Sequence, residues 1–267
     1  MKARAVGAVA LRQFYLMRGS PTRVIPMFAW VAIDIVLWGF ITRYLNSVSA
    51  AGLNFVPRLL GAVLLWDFFT RVMQGVTTAF LEDVWTRNFL NIFASPLSTS
   101  EYVCGLVLTS VATSLIGLAV MLVLAAGVFG LSFLSYGLML VPFLLLLFLF
   151  GIALGIVASA MVLRLGPASE WLVWPLPALL APFVGVFYPL ATLPAWMRAV
   201  AHLLPPSYVF EGMRAVVSGA PFAVADLAVG TALALGQIII AGLVFVRIFR
   251  GAVRSGLLAR YSAESTA

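Results

Sequence analysis

The chain is 267 residues long, 63% hydrophobic and 9% charged, with a mean hydropathy of +1.12. A globule of that length cannot bury so much apolar surface against itself, so the composition excludes a soluble domain and predicts a polytopic membrane protein. The formal net charge of +7 does not mark a nucleic-acid surface, because the basic residues stand singly at the edges of apolar runs, as topology-setting arginines do, and form no patch interleaved with aromatics.

Residues 1–20 carry Arg4, Arg12 and Arg18 within about a third of the helical wheel, with Val6, Val9, Ala10, Phe14 and Met17 opposite. This pattern predicts an interfacial helix lying on the membrane. A signal peptide fits less well, since no small-residue cleavage site closes an apolar core before Arg12 and Arg18.

Six apolar runs follow, at 24–41, 59–80, 103–129, 133–163, 171–188 and 227–246. The first contains Asp34 and the second Asp67 and Arg71, whereas the third and fourth contain no charge. At 1.5 Å per residue those two exceed the hydrocarbon core of about 30 Å, so they must tilt or project beyond it. Pro175, Pro177 and Pro182 mark the fifth run as the one to kink. Lys2, Arg4, Arg12, Arg18, Arg23, Arg87, Arg164 and the tail arginines 247, 250, 254 and 260 fall on one side of a six-span layout, against Arg43, Arg58, Arg198 and Arg214 on the other. Both termini are therefore expected in the cytoplasm.

The connection 81–102 then lies inside. It mixes charge with bulk, in Glu82, Asp83, Trp85, Arg87, Phe89, Leu90, Ile92 and Phe93, so the second span is expected to continue past the membrane and lead to a short helix ended by Ser95-Pro96. Ser98-Thr99-Ser100-Glu101 is a capping-box pattern that starts the third span. The apolar residues of this connection either tuck beneath the bundle or form a docking surface for a cytoplasmic partner, and residue types alone leave both open.

Outside, residues 189–222 are expected to form a re-entrant helical hairpin. Leu193, Trp196, Met197, Val200, Leu203 and Leu204 recur at helical spacing until Pro205-Pro206; a second short helix follows with Ser207 as N-cap, a Glu211/Arg214 pair and Gly219 as C-terminal cap. The hairpin reads equally as a gate or as a rigid lid.

An ionised side chain near a helix centre costs roughly 2.5 to 3.5 kcal/mol on insertion scales, so Asp34, Asp67 and Arg71 should avoid lipid. Asp67 and Arg71, four residues apart, either neutralise each other or contact cargo. Asp34 has no local partner; it pairs with Arg71 across helices, sits near the outer interface, or serves proton chemistry. Trp38, Phe187 and Tyr188 are candidates for the pathway or gate, although anchoring at the membrane interface also accounts for tryptophans in this chain. Gly151, Gly155 and Ser159 form a small-residue ridge for close helix packing. Cys104 and His202, each the single residue of its type, offer neither a disulfide nor a metal pair.

Asn88-Phe89-Leu90-Asn91-Ile92-Phe93-Ala94-Ser95-Pro96-Leu97-Ser98, followed by Glu101 and Gly105, resembles the coupling segment of the type-2 permeases of ABC exporters. Gly185-Val186-Phe187-Tyr188-Pro189-Leu190, Leu193-Pro194, Trp196 and Leu204-Pro205-Pro206-Ser207-Tyr208 resemble that family's segment after the fifth span. Relatives often carry charged residues where this chain has Asn88 and Asn91. The resemblance implies an all-α, six-span permease subunit that is not itself an enzyme, working as a homodimer among the lipids of a plasma membrane, such as a bacterial inner membrane. It also implies a separate nucleotide-binding ATPase subunit that holds ATP and Mg²⁺ and contacts Asn88, Phe89, Leu90, Asn91, Ile92, Phe93, Ser95 and Pro96, with cargo moving outward. Independently of the resemblance, no glycine-rich loop with a phosphate-reaching lysine occurs, and the single lysine is Lys2, so no cofactor is expected on this chain. Few charges along the spans suit an amphipathic or lipid-linked cargo. The competing class is a self-contained secondary transporter or scaffold, for which repeat symmetry would be characteristic and is not visible.

Overall fold

The computed structural model describes residues 2–48, 56–86, 88, 91–92, 95–131, 133–221 and 223–256. Among these it contains helices and no strand: α1 (Ala3–Arg18), α2 (Pro21–Val48), a π-helical turn (Val56–Leu60), α3 (Gly61–Trp85), α4 (Thr99–Phe129), a 3₁₀ segment (Phe133–Met139), α5 (Leu140–Leu165), α6 (Glu170–Val173), α7 (Leu176–Val184), α8 (Ala195–Ala201), α9 (Pro205–Ser218) and α10 (Val224–Arg254).

The bundle is built around α3. Phe69, Val72, Met73, Phe80 and Leu81 on this helix are almost wholly buried. α5 and α4 both pack against it, while α10 packs along α5 and α1 lies against α4. In lipid the apolar driving force between helices largely vanishes, so shape and hydrogen bonds hold such a bundle. The small-residue ridge supplies the shape: a Cβ on Gly155 would stand 2.8 Å from the Met73 carbonyl oxygen and 2.8 Å from Val76 Cβ, and one on Gly151 would stand 2.8 Å from Val72 Cγ1. Between α4 and α3, the Ser110 hydroxyl donates to the Val72 carbonyl at 2.8 Å. Phe69 and Phe150 stack across α3 and α5 with centroids 5.3 Å apart.

Among the described residues five helices are long and apolar enough to cross a membrane: Ala29–Val48, Arg58–Trp85, Thr99–Phe129, Tyr136–Leu165 and Val224–Arg254. They correspond to five of the six expected runs. α3 and α10 extend several residues beyond the apolar limits at 80 and 246, as helices do when polar flanks stay helical. The run 171–188 does not form one long helix. It splits at Trp174-Pro175 into α6 and α7, of four and nine residues, and stops at Gly185, whose φ of +64° ends the helix in the left-handed region. End to end this piece is about 22 Å, shorter than the roughly 30 Å core.

Two further expectations need correction. Pro205 and Pro206 do not stop a helix; they open α9 at its first two positions, where the missing amide hydrogen has no helical acceptor to lose, and Ser207 lies inside the first turn with its hydroxyl donating to the Ala201 and Leu204 carbonyls. In α1 the buried face is Val9 and Gln13, with the Gln13 side-chain amide donating to the Ala79 carbonyl at 3.0 Å. Phe14, placed by its wheel position opposite the arginines, is exposed beside Leu11 and Tyr15. Three local expectations hold: Ser98 and Glu101 close a reciprocal capping box, Gly219 caps α9 at φ +68°, and Glu211 pairs with Arg214 at 2.7 Å.

Candidate functional site

Two regions gather the residues singled out in the sequence. The first is the connection between α3 and α4. Phe89, Leu90 and Phe93 lie outside the described residues. Asn88 is half-buried, and its amide donates to the Asp83 carbonyl at 3.1 Å. The Asn91 side chain donates to Asn88 Oδ1 at 3.0 Å, and Asn91, Ser95 and Pro96 are exposed. Ile92 and Leu97 turn inward against the core. Ile92 thus tucks inward, as one of the two expectations had it, while Asn91, Ser95 and Pro96 face outward. A groove of about 310 Å³ runs between it and α1, lined by Val9, Arg12, Ile92, Pro96, Leu97 and Tyr102.

Beside that groove three helices are tied together by polar side chains. Arg12 of α1 pairs with Asp83 of α3 at 2.5 Å, and the Tyr102 hydroxyl of α4 donates to the same carboxylate at 2.7 Å. The amide of Lys2 donates to Glu101 Oε1 at 2.5 Å, which anchors the start of α1 to the capping box of α4. Trp85 Nε1 donates to Glu170 at 2.9 Å and ties the end of α3 to α6. Sequence reasoning missed Arg12, Tyr102 and the role of Asp83. The available signal was a Glu82-Asp83 pair at the end of an apolar helix, of which a member that is buried has to find a partner.

The second region lies among the spans. Asp34, Asp67 and Arg71 interact electrostatically across α2 and α3. The expected neutralisation of Asp67 by Arg71 is looser than their spacing suggests. No ion pair joins them among the described residues, and Asp67 Oδ2 and Arg71 Nε are buried without a hydrogen-bond partner. Arg71 turns instead against Gly117 of α4, where an added Cβ would stand 2.5 Å from its Cδ. From Arg71 toward the C-terminal end of α3, Gln74, Thr78 and Glu82 continue one polar stripe, which together with Met17 and Trp174 lines a cavity of about 250 Å³. Its walls mix charge, amide and hydroxyl groups with apolar side chains, so it matches molecules with a polar and an apolar part.

The aromatic candidates are brought together only in part. Trp38 and Phe187 stack with centroids 5.1 Å apart and planes 14° off parallel. Tyr188 bonds within its own segment, donating to the Pro182 carbonyl at 2.7 Å. Arg214 donates to the Gly185 carbonyl and Glu211 accepts the Leu190 amide, each at 2.7 Å, so α9 holds both ends of the turn that carries Phe187. Among the described residues no group of three His, Cys, Asp or Glu side chains is placed to hold a metal. Residues 4–217 match the family model described as ABC-2 type transporter. No curated protein matches the chain.

Proposed function

The chain belongs to the ABC-2 type transporter family, and from that premise we propose that it is the permease subunit of an ATP-driven exporter whose ATPase is a separate chain. The observation that carries this reading is the exposed edge Asn91, Ser95 and Pro96 on a connection rooted in α3, the helix at the centre of the bundle. A push on that edge reaches the core directly. ATP and Mg²⁺ belong to the partner subunit in this scheme, and closure of that subunit displaces the connection and with it α3 and α4.

Six crossings are supported by where the broken segment begins and ends. Glu170 meets Trp85 at the inner end of α3, while Phe187 meets Trp38, well along α2 toward the opposite face. In this reading segment 170–187 crosses from one side to the other although its helices are short, and the hairpin 189–222 closes it on the outside. Both termini are then cytoplasmic, in keeping with the arginine distribution. The cavity below Arg71 is the entry for an amphipathic or lipid-linked cargo from the inner leaflet, and a second copy of the chain completes the pathway.

The double variant Phe89→Asp, Phe93→Asp tests the coupling. It is expected to abolish ATPase retention on the purified permease, or to leave hydrolysis unresponsive to the permease, while the monodisperse elution of the chain is unchanged. Normal retention and normal permease-dependent hydrolysis would remove the reading.

A further inference from the structure

Asp83 touches the inner connection through its backbone carbonyl, and α1 and α4 through its carboxylate. It lies two residues from the end of α3 and its side chain is 0% exposed. The carboxylate faces Arg12 and Tyr102; the backbone carbonyl of the same residue accepts the Asn88 amide, and the Asn88 carbonyl accepts the Ile92 amide at 3.0 Å. A buried ion pair adds little net stability over apolar groups of equal volume, and its best-attested use is to fix one arrangement of the elements it joins.

The groove beneath gives that arrangement something to do. It separates α1 from Ile92, Pro96 and Leu97, so the connection has space to move against α1. Arg12 and Tyr102, the two groups that hold the carboxylate, also line this groove. A displacement of the connection into it meets both of them. We propose that Asp83 is a positioning residue that relays displacement of the inner connection to α1 and α4, so that the stroke is carried beyond the connection itself. The proposal rests on the ATP-coupled reading above.

The experiment is hydrogen exchange on the full chain in lipid nanodiscs, bound to its ATPase subunit, with and without trapping by ATP and vanadate. In the unsubstituted complex, trapping is expected to change exchange in residues 95–98 and in α1 together. In Asp83→Asn the response of 95–98 persists while that of α1 falls to less than about a tenth, because local opening is no longer shared between the two elements. Tyr102→Phe removes one bond from the same carboxylate and gives a partial loss, which keeps the test available if Asp83→Asn does not assemble. A pure fastener would raise exchange in α1 without separating the two responses. An undiminished α1 response in Asp83→Asn or Tyr102→Phe overturns the relay and leaves ATP coupling standing. Absence of any response in the unsubstituted complex overturns both.

Discussion

Asp83 and Arg71 are charged side chains of the same helix with different surroundings. Asp83 has a cation and a hydroxyl; Arg71 Nε has no hydrogen-bond partner, and its carboxylate neighbours act only through space. Tyr102→Phe should therefore destabilise the chain by about 1.5–3 kcal/mol, the cost of a lost hydrogen bond to a charged group, read as a lower melting midpoint in detergent. Glycines divide in the same way between contact and open space. Gly155→Ala puts a methyl 2.8 Å from a backbone carbonyl that cannot retreat, for an expected loss of about 1–3 kcal/mol. Gly127→Ala meets nothing within 4 Å and should be neutral or stabilising by up to about 1 kcal/mol, as expected for Gly to Ala inside a helix. The same thermal assay ranks the pair, and equal effects would contradict the tight α3–α5 contact.

At the scale of elements, helix starts are set by particular side chains. Ser98 and Glu101 fix the first turn of α4, and Ser98→Ala should cost about 1 kcal/mol, again visible in the melting midpoint. Pro205→Ala, at the first position of α9, should change stability by less than about 0.5 kcal/mol because no interior helical bond is restored or lost there. The capping box, the α9 C-cap and the glycine ridge were legible in the sequence because each is a pattern over a few consecutive turns. The break in 171–188 was legible only as a kink: hydropathy measures how long an apolar run is, whereas Pro175 and Gly185 decide how much of it is one helix. The Asp83 cluster was not legible, since Arg12 lies on α1, far away in sequence, and no local spacing announces a partner brought there by the fold. At the candidate site, the sequence identified Trp38 and Phe187 separately and could not show that they stack.

The whole molecule is a bundle with a dense centre and a periphery that stays apolar. Trp30, Ile33, Leu37, Phe40 and Tyr44 of α2 are all exposed and recur at alternating steps of three and four, and Leu235, Ile239 and Leu243 are exposed at steps of four on α10. These faces suit lipid or a second copy. At this scale the short piece α6–α7 decides the topology, since with it the termini share a side and without it they do not. Labelling of single cysteines placed at Ser47 and Ser255 in a Cys104→Ser background should report opposite sides, and labelling from the same side would contradict six crossings. The claim that this chain is a conduit moved by energy released elsewhere meets its most direct test when the full-length protein is purified from its native membrane and the mass and hydrolytic activity of the eluted particle are measured. The account predicts two permease copies with two ATPase subunits and ATP hydrolysis that disappears when those subunits are stripped; a lone permease that moves its cargo after reconstitution without any ATPase would contradict it.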